Sequence, residues 1–354
     1  MVFNSIFFIF CFLPVFMLIY YLVPGKLRNL LLFLGSLIFY AWGEPVYVIL
    51  MLFSSIFNYY MGTELERLYY DDRKQKINLI FSIIINLAVL VFFKYYGFLL
   101  NTIGGIIGIH IPHPELSLPI GLSFYTFRNL SYLFDIYLSK VSAQQNFLTF
   151  AVYSTMFPYT SAGPIVRYTD IETQLKQRTI NISKFGTGAE LFVKGLAKKV
   201  LLADNLSVLY SSICGHPQMS VFTSWLGILA YTMQLYFDFS GYSDMAIGLG
   251  KMLGFDFNKN FDYPYISTSV SEFWRRWHIS LGSWFRDYIY IPLGGSRVST
   301  LKHIRNILVV WALTGLWHGA SWNFVLWGVY YGLFLLLEKF VLQKYLKKIP
   351  SWLC

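Results

Sequence analysis

The sequence predicts an all-α polytopic membrane helical bundle with re-entrant or interfacial helices. Three observations carry that expectation. The chain of 354 residues is 56% hydrophobic and 20% aromatic but only 13% charged, with a mean hydropathy of +0.51. Ordinary soluble domains do not carry that balance. Apolar runs of spanning length recur along the whole chain. Lysines and arginines gather between those runs, as a positive-inside bias requires. The net charge of +10 is therefore no argument for a nucleic-acid partner. The lipid bilayer is the first partner. The three cysteines, Cys11, Cys214 and Cys354, form no CxxC pattern, so neither a disulfide framework nor a structural metal is expected.

The elements follow in order. Phe3–Val23 is long enough to span and lacks a basic leader region, so it reads as a first transmembrane helix, not a cleaved signal. Lys26 and Arg28 follow it, which places that loop in the cytoplasm and Met1 outside. Leu30–Trp42 and Val46–Met61 are further runs, separated by Gly43-Glu44-Pro45. The charged stretch Glu64–Lys76 is expected on the cytoplasmic side. Ile77–Asn101 spans next. The loop Thr102–Leu118 contains no Lys or Arg and suits the outer face. Pro119–Leu138 returns, and Lys140 follows it. Phe147–Gly163 is apolar and breaks at PYTSAGP, and Ile165–Ser183 reads as a polar link. Phe185–Ile213 is a long helical run interrupted by Lys194, Lys198 and Lys199, which could face anionic headgroups or an anionic cofactor. Val221–Leu253 is apolar around the polar insert QLYFDFSGYSDM. Ser269–Asp287, Ile304–Trp317 and Asn323–Leu342 complete roughly nine or ten spanning or re-entrant elements. A basic juxtamembrane segment, Glu338 to Lys348, precedes Cys354. No internal repeat or soluble domain is visible, so residues 1–354 read as a single membrane domain.

The chemistry concentrates between Ser269 and Trp322. Ser269 with Glu272 is a capping-box pattern that starts a helix. From there Trp274, His278, Leu281 and Phe285 share one face, and Arg276, Ser280, Ser283 and Asp287 another. The segment carries too many charges to cross a bilayer alone and fits an interfacial or re-entrant helix. Pro292 and Gly294-Gly295 end it. From Ile304 to Tyr330 the only ionisable side chains are Arg305, His318 and the tyrosine.

Each candidate has two readings. Intramembrane ionisable residues are expensive and by default functional, and histidine is the side chain best placed to take and return a proton near neutral pH. His318 is then a general base in a cavity, or a packed histidine donating to a carbonyl. His278 is a catalytic or a core histidine. Arg275, Arg276 and Arg286 anchor the segment at the interface, or bind phosphates of a donor arriving from the cytoplasm. Asp238 and Tyr242, at i and i+4, line a tunnel or lock helices together. The sequence holds no GxSxG, Walker A or HExxH motif, and the histidines lack carboxylate companions at metal-ligand spacing, so a metal site is not expected.

FWRRWHISLGSWFRDYIYIPLGG (residues 273–295) and TGLWHGASWNFVLWG (314–328) make the pattern specific. With FYAWGEP, PIGLSFYTF, AGPIVRY, FVKGLAKKVLLADNL and YFDFSGYSDMAIGLG, they resemble the membrane-bound O-acyltransferase (MBOAT) family. Within it they are most similar to the bacterial alginate and polysaccharide O-acetyltransferase branch. The D-alanyl transferases of teichoic acids share the FWRRWH and GLWHG cores.

The resemblance implies a helical bundle around a central tunnel, with His318 and His278 catalytic. It implies acetyl-CoA or another acyl thioester, free or on an acyl carrier, as cytoplasmic donor. The acceptor would be an extracytoplasmic polysaccharide, reached through an extracytoplasmic acetyltransferase partner protein, and the chain itself would sit in the bacterial cell membrane. Trp317, Trp274 and Asn323 stand in the same motifs. They join Arg275, Arg276, Asp238 and Tyr242 as candidate substrate- or donor-binding residues. Arg128 and Asn129 follow PIGLSFYTF where the resemblance leads one to expect an uncharged, Gln-like residue. Members of this branch are expected to continue past the position of Cys354 with further membrane helices. Two other classes stay open: a transporter or flippase for lipid-linked sugars, and a catalytically inactive scaffold.

Overall fold

In hydrocarbon every backbone polar group needs an internal partner, and helices supply one within each segment. The computed structural model describes residues 1–114, 116–216 and 218–346, and among them there is no strand. Lys347, Lys348 and Cys354 of the expected basic terminal segment, and Glu115 of the expected outer loop, lie outside the described residues. The helices are α1 (Leu13–Leu22), entered through a π-helical turn, α2 (Arg28–Ala41), α3 (Val48–Arg67), α4 (Asp72–Ile107), α5 (Leu122–Tyr137), α6 (Phe147–Thr155), α7 (Phe157–Thr160), α8 (Tyr168–Lys176), α9 (Ile182–Ala197), α10 (Asp204–Cys214), α11 (Val221–Met252), α12 (Val270–Arg276), α13 (Ile279–Phe285), α14 (Thr300–His318), α15 (Trp322–Leu337) and α16 (Gln343–Leu346). Val48–Arg67, Asp72–Ile107 and Trp322–Tyr345 are each long and apolar enough to cross a membrane. Their outer faces carry exposed Ile, Leu and Phe side chains, as a lipid-facing surface does. The expected all-α membrane bundle is what forms.

The helices gather into two compact units. The first holds Met1–Ser55 and Asn146–Asn260, and the second holds Ile56–Gln145 and the chain from Phe261 onward.

In the first unit α9 and α11 cross closely through small residues, the usual means of tight helix packing in membranes. A Cβ at Gly188 would lie 2.6 Å from the Gly248 carbonyl oxygen, and one at Gly241 would lie 2.7 Å from that of Gly195. Phe3, Phe8, Phe39 and Phe157 form a buried aromatic cluster. Tyr20 and Tyr21 donate to the Leu253 and Met252 carbonyls, each at 2.7 Å, and so satisfy the end of α11. A π-helical stretch, Lys198–Ala203, joins α9 to α10. The lysines there do not present free charge to headgroups or a cofactor. Lys198 pairs with Asp244 at 2.6 Å, and Lys199 pairs with Asp204 at 2.8 Å and Asp238 at 2.7 Å. Burying a charge in such surroundings requires an opposite partner. The polar link expected over Ile165–Ser183 contains α8, because Tyr168, Ile171 and Leu175 recur at helical spacing and are buried.

In the second unit α5 is buried over nearly its whole length, Arg128 and Asn129 included. It holds α13 and the turn after it. The Trp284 indole donates to the Phe127 carbonyl at 2.9 Å while its ring stacks on Phe127 at 4.0 Å, and the Tyr288 hydroxyl donates to Asp135 at 2.8 Å. The charged stretch Glu64–Lys76 is helical save for a tight turn. Asp71 caps α4 by accepting from the Lys74 N–H, and the buried Gln75 amide donates back to the Leu65 carbonyl at 3.0 Å.

Candidate active site

α12 begins where the capping pattern places it, with Ser269 Oγ accepting from the Glu272 N–H at 3.0 Å. The Glu272 carboxylate reaches one residue further back, to the Thr268 N–H and hydroxyl, and also accepts from Arg276 at 2.9 Å. Those bonds, the Thr268 N–H first and then the Arg276 guanidinium, hold the Glu272 carboxyl below the usual carboxylate range.

The single helix expected over Ser269–Asp287 does not form. α12 stops at Arg276, Trp277 is extended, and His278 adopts φ +43°, ψ +56°, the left-handed region, before α13 begins at Ile279. The reason lies in the Arg276 carbonyl. A continuing helix would give it the Ser280 N–H, but it accepts instead from the Asp262 N–H at 2.9 Å. Histidine is among the few residues with a side chain that tolerate this conformation. The break turns the His278 ring inward, where it is 3% exposed. Its Nδ1 lies 3.4 Å from Ser280 Oγ, and its ring lies 5.8 Å from that of Trp317.

His318 reaches the same indole from the other side of the sequence. It is the last residue of α14, and Gly319 after it is extended. The imidazole lies 4.9 Å from the Trp317 ring and 4.9 Å from the Trp327 ring, edge to face, and 6.4 Å from Phe324. Close crossing of α14 and α15 holds it there. Gly315 and Gly328 meet so closely that a Cβ at Gly315 would stand 3.2 Å from the Gly328 Cα. One indole thus contacts both imidazoles.

Both histidines line one cavity of about 870 Å³, which lies within the second unit. Trp274, Trp277, Phe285 and Trp311 give it an apolar wall, and Arg275, Arg286 and Lys339 bring cationic side chains to it. Trp274 is itself packed edge-on against Trp311, Trp327 and Tyr331. An apolar pocket with a few convergent polar groups is the ordinary form of a small-molecule site. Among the described residues no three His, Cys, Asp or Glu side chains gather closely enough to hold a metal ion.

The membrane-bound O-acyltransferase family model matches residues 42–347. The chain belongs to that family. It is 44% identical to the "probable alginate O-acetylase" of Pseudomonas aeruginosa over 343 residues, which cover 96% of this chain and 66% of the relative. It is 35% identical to the peptidoglycan O-acetyltransferase of Helicobacter pylori, over 96% of this chain and 70% of that protein. The teichoic acid D-alanyltransferase of Bacillus subtilis is 27% identical over 69% of this chain and 64% of its own length. The chain spans about two thirds of the length of the curated relatives it matches.

The nine site residues expected from the sequence of this MBOAT protein separate into three groups. His278, His318, Trp274 and Arg275 line the cavity, and the Trp317 indole packs against both imidazoles. Arg276 is held locally, by Glu272 and by the Asp262 carbonyl at 3.0 Å, and Asn323 is exposed at the start of α15. Asp238 and Tyr242 belong to the other unit. There Asp238 pairs with Lys199, and the Tyr242 hydroxyl bonds Ser161 at 2.6 Å. Sequence reasoning passed over Lys94, Tyr95, Trp327 and Glu338. A signal for the first was present: Lys94 is the only charged residue between Ile77 and Asn101.

Proposed function

We propose that this protein is a membrane O-acyltransferase of the bacterial cell membrane, with its N-terminus outside. It takes an acyl group, in the first instance acetyl, from a cytoplasmic thioester such as acetyl-CoA. It passes that group toward hydroxyls of an extracytoplasmic polysaccharide, through an extracytoplasmic partner protein. The observation that carries this reading is the pair of imidazoles that pack against the one Trp317 indole and line one cavity. Family membership and the names of the relatives supply the reaction class.

In the proposed reaction neutral His318 removes the proton from the attacking hydroxyl as its oxygen bonds to the thioester carbonyl carbon. The tetrahedral intermediate collapses with cleavage of the C–S bond, and the imidazolium returns the proton to the departing thiolate. His278 orients the donor or stabilises the developing oxyanion, the kind of interaction that usually supplies a large part of such rate enhancements. Arg275, Arg286 and Lys339 suit a donor that carries phosphates.

The test is the O-acyl content of envelope and secreted polysaccharides in cells lacking the gene, cells with it restored, and cells carrying His318→Ala at matched protein level. Loss, recovery and renewed loss are expected, and mass analysis of the released acid separates acetyl from D-alanyl transfer. Unchanged ester content in the His318→Ala cells would sink the mechanism. Movement of lipid-linked sugar across vesicles without any acyl donor would favour transport instead.

A further inference from the structure

α4 delivers two adjacent polar side chains to the end of α14. The Lys94 ammonium donates to the Trp317 carbonyl, and the Tyr95 hydroxyl donates to the Leu316 carbonyl at 2.5 Å. The same ammonium lies 5.7 Å from the centre of the Trp317 ring, within cation–π range. Lys94 therefore grips Trp317 by both its backbone and its indole.

The chemistry of a helix end explains why such a grip matters. The last four carbonyls of an α-helix have no intrahelical partner, and a bilayer offers no water to replace one. A cation there also complements the negative end of the helix dipole. Of the exposed carbonyls of α14, two that immediately precede His318 are the ones α4 engages. A lysine in the middle of an apolar span is expensive and calls for a function with a named partner.

We propose that Lys94 and Tyr95 form a clamp on the last turn of α14 and that Lys94 is a positioning residue for His318. This rests on the reading of His318 as the base. Lys94 fixes Trp317, the Trp317 indole packs 4.9 Å from the His318 ring, and the imidazole is thereby held at the place where it meets the acceptor hydroxyl. Lys94 touches neither reactant and donates no proton in the reaction.

The experiment uses membranes containing the whole chain and radiolabelled acetyl-CoA as donor. It compares the parent with Lys94→Met, Lys94→Arg, Tyr95→Phe and His318→Ala, with thermal melting of each detergent-purified protein. A displacement of about 1 Å at a reacting group lowers turnover on the order of 100-fold. Lys94→Met should therefore lose roughly 100-fold in kcat with donor KM within about threefold, and melting should stay close to the parent. Lys94→Arg, which keeps a charged donor on a long side chain and the capacity for a cation–π contact, should recover most of the loss. Tyr95→Phe should show a smaller loss of the same kind.

Four results would overturn the clamp. Parent-like kcat in Lys94→Met beside an inactive His318→Ala refutes it and leaves the base intact. A matching rise in donor KM would make Lys94 a donor contact. A loss that follows melting and is not rescued by arginine would make it a folding residue. Parent-like turnover in His318→Ala would remove the base itself, and the clamp with it.

Discussion

The close crossing of α14 and α15 should control activity more strongly than stability, and Gly328→Ala tests this. A Cβ at Gly328 would stand 3.0 Å from the Gly315 Cα and 3.1 Å from its nitrogen, and closer still to the Trp311 carbonyl oxygen. Carbon atoms settle at about 3.5–4.0 Å, so the two helices must part by roughly 0.5–1 Å at this point. The obstacles are backbone atoms, which no rotamer change can move.

The stability terms partly cancel. Overpacking costs about 1–3 kcal/mol, and alanine recovers about 1 kcal/mol of helix propensity over glycine. A modest fall in melting temperature is expected. The geometric term does not cancel. His318 lies three residues beyond Gly315 on α14, while Phe324 and Trp327, which flank its ring, lie on α15. Separating the helices moves the imidazole away from its neighbours, and a shift near 1 Å lowers turnover on the order of 100-fold. Gly332→Ala is the internal control. Its Cβ would meet the Trp311 Cβ at 3.2 Å and the Leu308 Cδ2 at 3.3 Å, looser contacts than those at Gly328, and the leucine end can rotate away. Polysaccharide ester content and donor turnover should fall sharply in Gly328→Ala and little in Gly332→Ala. Equal activity in the two variants would refute the reasoning.

Other expectations follow from the same unit. The buried Glu338 carboxylate accepts from the Val270 N–H at 2.6 Å and the Ser271 N–H at 3.2 Å, capping α12 from outside. Glu338→Ala should cost about 1–2 kcal/mol of stability, typical of a lost cap, while Glu338→Gln keeps an acceptor and should melt nearer the parent. The Glu272 carboxyl is held below its ordinary range by Thr268 and Arg276. Its stabilising contribution is thus complete above the ordinary carboxylate value near pH 4.3 and is lost only as the pH falls through the lower, folded-state value. Glu272→Gln should leave the pH–rate profile between about pH 6 and 8 unmoved, and a displaced limb in that range would show that Glu272 takes part in the proton chemistry.

How far the sequence revealed the site follows from the kind of signal each residue leaves. Composition and run length made the membrane bundle legible because burial in lipid demands apolar surface over whole segments. Ser269 and Glu272 marked the start of α12 because capping is a local interaction. Lys94, Glu338 and the Gly315–Gly328 crossing act over long sequence separations, so periodicity says nothing of their partners. Asp238 and Tyr242 left two readings open, a tunnel lining or a lock between helices. The compensating charge, Lys199, lies 39 positions earlier, and no pattern within α11 announces it.

Among the local expectations that failed, a continuous helix through His278 says most about the site. Both histidines stand where a helix is interrupted: His278 at a left-handed junction, His318 at the last residue before an extended glycine. A residue inside a helix has its ring flanked by the turns before and after it. A residue at a break can direct its ring along the axis or across it, toward groups on other segments. Breaks are also the places where a membrane protein exposes backbone polar groups, and they are tolerated at depth only where protein or a cavity receives them. The interruptions that spoil the helical pattern around His278 and His318 are what let two residues 40 positions apart meet one indole and one cavity. An ideal helix through His278 would have satisfied local propensity, so the departure from the local rule is itself a mark of the site.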